Sequence, residues 1–337
     1  MKNKFFEVYQ DSHWLKLLFL LMLFITSSSI ALAQEKTKIF VIFSYLPGSW
    51  TIEAATGIKK AFKEHNVDIE LEEYVYDYIY VQKNHAQTRE INKTLNAIKK
   101  YGPQLIIVFD DEAADALMPY LKKGPIPVVV TGINKEIENI SWAETDKRNF
   151  VIVFERYPFE QSLRMLHMMN PQIKYISILT SSNNSSRIIA HQFIKKFQSY
   201  HNIYAGIAIE HITISSSWSV WQGRIKKYKG LDRAFWILVP WNINDSAGNE
   251  VDIRQIGKFY NEHSLLPSLG IVNINQKLGF LASFYVTSED LGYQSALMAI
   301  KILTQNVHPS MIPFQTINVA RFLINKDKSE PPCKAGS

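Results

Sequence analysis

The stretch that decides the fold is KIFVIFSYLPGSWTIEAATGIKKAF, Lys38 to Phe62. Lys38 to Phe43 is a short, almost continuous apolar run, the pattern of a strand buried on both faces of a parallel sheet. Ser44 to Ser49 interrupts it with hydroxyl, proline and glycine. Ile52, Ala55, Ile58 and Phe62 then recur at helical spacing. Strand, polar loop and amphipathic helix together make one βα unit.

Outward from this unit the pattern repeats. Val67 to Tyr76 is β-rich, and Ile91, Leu95 and Ile98 mark a helix stopped by Gly102-Pro103. Leu105 to Phe109 is a strand, Glu112 to Leu121 a helix, and Val128 to Val130 a strand running into Thr131-Gly132-Ile133-Asn134. A second series is expected from near Asn149. It holds Phe150 to Phe154, the helix of Phe159, Leu163 and Leu166, the strand Tyr175 to Leu179 and the helix of Ile189, Phe193 and Phe197. Ala208 to Ile214, Ala234 to Val239, Leu269 to Val272 and Phe280 to Val286 are further strands. Leu291 to Leu303 is a helix, and Thr316 to Ile324 reads as one last strand. Repeated βα units imply parallel sheets with helices on both faces. The expected class is therefore α/β, with two Rossmann-like lobes joined by a hinge. The expected boundaries are 34–140 plus 281–310 for the first lobe and 141–280 plus 311–328 for the second.

The remaining sequence concerns export. Lys2, Lys4 and Lys16 flank an uncharged run from Leu17 to Ile25, followed by Ala31-Leu32-Ala33. A basic start, a short apolar core and an Ala-x-Ala site read as a signal peptide, residues 1–33, cleaved after Ala33. The competing reading is a retained membrane anchor. No cysteine stands near the site, which excludes a lipid-modified N-terminus. The single cysteine, Cys333, lies in a polar tail, 329–337, expected to be disordered, so no internal disulfide is available. The net charge of +6 is spread in pairs such as Lys59-Lys60. Nucleic-acid binders gather theirs in a patch, so no nucleic-acid partner is expected.

In open α/β sheets a ligand sits beyond the carboxyl ends of the strands, so the residues just after each strand are the candidates. In the first lobe they are Ser44, Tyr45 and Trp50; Asp77; Asp110 and Asp111; and Thr131, Gly132 and Asn134. In the second they are Ser181, Ser182, Asn183 and Ser185, then Trp241 and Asn242, with Asn273 and Asn275 beyond. Tyr285 ends a strand expected to cross between lobes. Several have a structural alternative. Ser44 caps a helix while Tyr45 and Trp50 pack the loop, and one of Asp110 and Asp111 caps the next helix while the other accepts a ligand ammonium. The serine loop is either a carboxylate site at a helix N-terminus or an N-cap cluster. Trp218 and Trp221 are candidates for an aromatic wall or a protein interface. The histidines show no metal-ligand spacing, and no Gly-x-Ser-x-Gly elbow is present. Neither a metal, a cofactor nor an enzymatic activity is expected.

At these residues the chain resembles the type I periplasmic-binding-protein superfamily, and within it the ABC-transporter substrate-binding branch associated with aromatic amino acids. Three segments carry the likeness. They are Ile42 to Gly48 leading to Gly57-Ile58-Lys59; Pro103 to Asp111 with Ile126 to Asn134; and Gly279 to Phe284 with Leu291 to Ala296. The second lobe departs from the pattern at Asn149 to Phe154 and matches it only loosely at Ser181 to Ser185. The resemblance implies a non-catalytic, exported protein that holds a small polar solute, an amino acid among the candidates, between its lobes. Its implied partner is an ABC permease. The rival expectation is a subunit that contacts a membrane sensor protein.

Overall fold

Alternate residues of the opening strand feed two different cores. Within β1 (Thr37–Phe43), Ile39, Val41 and Phe43 enter one apolar cluster, and Phe40 and Ile42 the other. That period of two is why the strand is apolar throughout: both of its faces are covered. The computed structural model describes residues 36–143, 148–272, 278–317 and 319–325. The expected signal segment, Asn273, Asn275 and the tail with Cys333 lie outside the described residues. No helix among the described residues is long and apolar enough to cross a membrane.

The chain continues through α1 (Ser49–Glu64), β2 (Ile69–Val75), the short α2 (Tyr78–Asn84), α3 (Gln87–Tyr101), β3 (Leu105–Phe109), α4 (Asp110–Leu121), β4 (Val128–Ile133) and β5 (Phe150–Phe154). Then come α5 (Phe159–Met169), β6 (Tyr175–Thr180), α6 (Asn184–Ser199), β7 (Ile203–Tyr204), β8 (Ile207–Ile214), α7 (Trp218–Lys227), β9 (Arg233–Ile237), α8 (Ile253–His263), β10 (Ser268–Gly270) and β11 (Ala282–Tyr285). The last elements are α9 (Ser288–Thr304), β12 (Gln315–Thr316) and β13 (Arg321–Ile324).

The strands form a six-stranded sheet ordered β12-β5-β4-β3-β1-β2 and a seven-stranded sheet ordered β13-β11-β10-β9-β6-β8-β7. The first is parallel throughout. The second is parallel except where β13 and β7 run antiparallel at its edges. In the first lobe α1 and α9 cover one face, and α3 and α4 the other. In the second lobe, α5 and α6 pack on one face around Trp236, while α7 and α8 cover the other around Trp221 and Tyr260. Trp236 meets Phe193 edge-on with ring centres 4.6 Å apart, a favourable aromatic geometry.

The lobe boundaries differ from those expected. β5 pairs with β4, Val128 opposite Phe150, so the first sheet runs on through residue 154 instead of ending at 140. β11 pairs with β10 and β13, so the second sheet extends past 281, and the chain returns to the first lobe only with α9. The expected single strand from Thr316 to Ile324 is two strands in different sheets: β12 lies beside β5, and β13 beside β11. An apolar run shows that a segment is buried. It does not show which of two similar sheets buries it.

Candidate functional site

Ser44 turns the end of β1 toward α4. Its hydroxyl donates to the Phe109 carbonyl at 2.9 Å and accepts from the Ala113 N–H at 3.0 Å. Both of its hydrogen-bonding roles are thus spent on holding the start of α4 against the sheet. Asp77 is the N-cap of α2, accepting from the Tyr80 N–H at 3.1 Å. It lines a surface pocket with Leu46, Tyr80, Arg89, Glu90 and Lys93. Both residues hold a helix start in place, because a helix start beside a strand end leaves N–H groups that need acceptors.

The carboxyl end of β3 carries three acidic residues into α4. Asp111 clamps the exit of β4, accepting from the Asn134 N–H at 2.9 Å and the Lys135 N–H at 3.2 Å. Asp110 has a left-handed backbone, φ 70°, which costs an L-residue about 1 kcal/mol or more. Its carboxyl receives a hydrogen bond from the Trp50 side chain, and its Oδ2 has no partner. Gly132, at φ 72°, lies against it: a Cβ there would stand 3.3 Å from Asp110 Oδ1. Next to it, Thr131 Oγ1 is buried without a partner.

Glu155, just past β5, closes the group. Its carboxylate accepts from Asn134 Nδ2 at 3.1 Å and from the Tyr157 side chain. Burial raises Asp110 well above the ordinary carboxyl range, reinforced by Glu112, Glu155 and Asp111. Burial likewise lifts Asp111 and Glu155 to about 7 each, against the hydrogen bonds they accept. Burial first, then Glu112 and Asp110, pushes the Tyr45 hydroxyl up.

The second lobe meets this surface through one stripe of α6. Ser185 Oγ donates to Glu112 Oε1 at 2.7 Å, and Asn184 Nδ2 lies 3.5 Å from the same oxygen. Gln192 donates to the Asn134 carbonyl, and Lys195 Nζ lies 3.2 Å from Glu138. Positions 185, 192 and 195 share one helix face. Tyr45 lies in hydrogen-bonding contact with both Ser185 and Glu112, so it stands where the lobes join. Asn183 caps α6 by accepting from the Ser186 N–H and is held by Asn242 at 2.9 Å. Ser181 bonds to Ser186, and Ser182 to Ser216.

Tyr45, Trp50, Asp110, Asp111, Thr131, Gly132, Asn134 and Ser185 therefore gather in one region, backed by Ser181, Ser182, Asn183 and Asn242. Trp241 is 38% exposed. Tyr285 lies near Arg321, Glu53 and Asp290. Trp218 and Trp221 belong to the core under α7 and α8. Glu112, Glu155, Tyr157 and Gln192 were not among the expected site residues. Glu155 and Tyr157 follow a strand like the others, and the strand-end rule names them once β5 is treated as the first lobe's strand.

Removing the Glu112 carboxylate should loosen the closed arrangement. Charge-assisted hydrogen bonds contribute about 1.5–3 kcal/mol, so Glu112→Ala should shift the closed-to-open ratio at least about tenfold. The radius of gyration in small-angle scattering should rise. An unchanged radius would mean that other contacts hold the lobes together.

The sequence pattern of the family described as ABC transporter substrate binding protein matches residues 41–330. The chain belongs to this family. In sequence, no curated protein matches it. In fold, this substrate-binding family member is similar to an ABC domain in complex with L-Trp from Streptococcus pneumonia, at 18% identity and TM-score 0.62, covering 86% of this chain and 93% of that one. It is also similar to a ligand-free, open substrate binding protein with adhesive properties from Clostridium difficile, at 18% identity and TM-score 0.62, covering 89% and 97%. A glucose-galactose binding protein from Geobacillus stearothermophilus aligns at 15% identity and TM-score 0.55, covering 87% and 99%. The architecture is that of a type I periplasmic binding protein, with two α/β lobes and parallel sheets.

Proposed function

We propose that this chain is an exported, non-catalytic solute-binding protein that captures a small molecule between its lobes and delivers it to an ABC permease. The observation that carries this reading is the junction just described. Unpartnered buried oxygens lie at the carboxyl ends of the first lobe's strands, a helix stripe of the second lobe bonds to the same region, and three segments pass between the lobes, after β5, after β11 and after β12. Passages of this kind act as a hinge, and closure of a hinge around a ligand presents a new composite surface to a partner. Family membership supports the same role, and the solved relatives named above include binders of L-Trp and of sugars.

The test is thermal unfolding against a broad panel of amines, amino acids, sugars and organic acids. A ligand present at about 100 times its dissociation constant stabilises the native state by about 2.7 kcal/mol. A rise in melting temperature with one chemical group is the expected result, and Tyr45→Ala should abolish it. No shift from any compound would overturn solute capture.

A further inference from the structure

The acidic corner of this junction holds more carboxyl groups than its partners account for. Asp110, Asp111, Glu112 and Asp115 lie on α4, and Glu155 follows β5. The cations beside them are already engaged. Lys135 pairs with Asp115. The Arg156 guanidinium donates to the carbonyls of Ile133, Asn134, Glu155 and Lys135 and pairs with Glu136 at 3.5 Å. Asp111 and Glu112 are satisfied by the donors described above.

Two neighbouring acceptors are not satisfied. Asp110 is 8% exposed and Asn134 7%, and Asp110 Oδ2 and Asn134 Oδ1 have no hydrogen-bond partner. The orientation of the Asn134 amide is set by its Nδ2, which points at Glu155, so the unpaired atom is the acceptor. Buried acceptors left unpaired are costly, and donors complete them. The acidic side chains do not converge as metal ligands: no group of three or more His, Cys, Asp or Glu does so among the described residues. A nitrogen cation carrying several N–H donors suits separated acceptors better, and the rings of Tyr45, Trp50 and Tyr157 beside the acids suit a cation's apolar side.

A ligand carboxylate finds no seat here. The α6 groups that would receive one, Ser185 and Asn184, are turned to Glu112, and Asn183 is the cap. Lys135 and Arg156, the neighbouring cations, are engaged.

We propose that the solute taken by this cleft is a cationic amine, held through an ammonium or guanidinium group by Asp110 and Asn134, and that it needs no carboxylate. This rests on the solute-binding reading above and narrows its ligand class. A consequence follows from the raised carboxyl groups. Tyr45, Tyr78, Tyr157, Asp115, Lys135, Glu136, Arg156 and Glu138 are the other charged or titratable groups around the corner. The cation favours ionised carboxylates, so its binding releases protons.

The experiment is isothermal titration of the purified full chain with five compounds. Tryptamine and putrescine carry ammonium alone, L-tryptophan ammonium and carboxylate, indole-3-propionate carboxylate alone, and D-galactose neither. An amine should bind at least about tenfold more tightly than the other three compounds, with a measured heat that differs between phosphate and Tris buffers. Its affinity should fall as the pH is lowered, because burial raises the Asp110 carboxyl and protons then compete with the amine. Asp110→Asn should weaken amine binding at least about tenfold. Should that variant not fold, the buffer-dependent heat of the parent decides. Tighter binding of L-tryptophan, indole-3-propionate or galactose than of the amines overturns the cationic assignment and leaves solute capture standing. Silence from all five also overturns it, and the broader melting panel then shows separately whether capture itself survives.

Discussion

Gly292→Ala is expected to lower the stability of the protein by about 3 kcal/mol, at the upper end of what overpacking usually costs. In an open helix the same change would stabilise by up to about 1 kcal/mol, because glycine is the more flexible residue in the unfolded chain. Here α9 crosses α1 at two glycines. A Cβ on Gly292 would collide with the Ala54 carbonyl oxygen, and one on Gly57 with the Glu289 carbonyl oxygen. Both obstacles are backbone, so neither can swing aside as a side-chain tip would. The helices must separate, pulling Leu291, Ala296 and Ala299 away from Ala54, Ile58 and Phe62 in the core they share. The melting temperature should fall by roughly 6–12 °C. Gly223→Ala is the internal control, since a Cβ within α7 there meets nothing within 4 Å. Equal melting temperatures for Gly292→Ala and Gly223→Ala would show that the two backbones do not approach this closely.

Glu155→Gln is expected to melt above the parent at about pH 8, and the gap should close toward about pH 5. Burial lifts Glu155 from its ordinary 4.5 to about 7, a displacement worth roughly 3 kcal/mol. The sign follows from proton binding. Between about 4.5 and 7 the folded chain holds a proton on this group that the unfolded chain has lost, so folded-state stability falls as pH rises through that window. Below the window both states are protonated and the group no longer contributes to the slope. The amide of Gln mimics the protonated acid at every pH, removing the penalty at high pH and changing little at low pH. Asp111, lifted to about 7 by burial as well, adds to the parent's slope and is present in both proteins. Unfolding measured at several pH values reads the difference directly. A constant gap from about pH 5 to 8 would place the Glu155 carboxyl in a solvated setting.

Much of the candidate site was legible from position alone. Tyr45, Asp110, Asn134 and Ser185 follow strands or open a helix, and the structure brings them to one junction. The same rule also selects Ser44 and Asp77, which hold a helix start and cap a helix. A hydroxyl or carboxyl after a strand has two possible employers, the backbone N–H groups of the next helix or a ligand, and the one-dimensional pattern is the same for both. Trp218 and Trp221 illustrate the opposite limit. Their indoles suit either an exposed wall or a core, and the packing of α7 against the second sheet decided for the core.

The parts of the fold whose cause is local can be read from the order of residues alone. Apolar runs bounded by turns specified strands covered on both faces, and helical spacing of apolar residues specified the covering helices, because burial period is a property of the backbone geometry of each element. Which sheet receives β5, β11, β12 and β13 is settled by packing in three dimensions, since each of these short strands can satisfy its backbone beside a strand of either sheet. The same holds for the pairing of acceptors in the junction. Asp110 and Asp111 are neighbours of like chemistry, and which one meets the N–H groups leaving β4 depends on an approach between segments more than twenty residues apart.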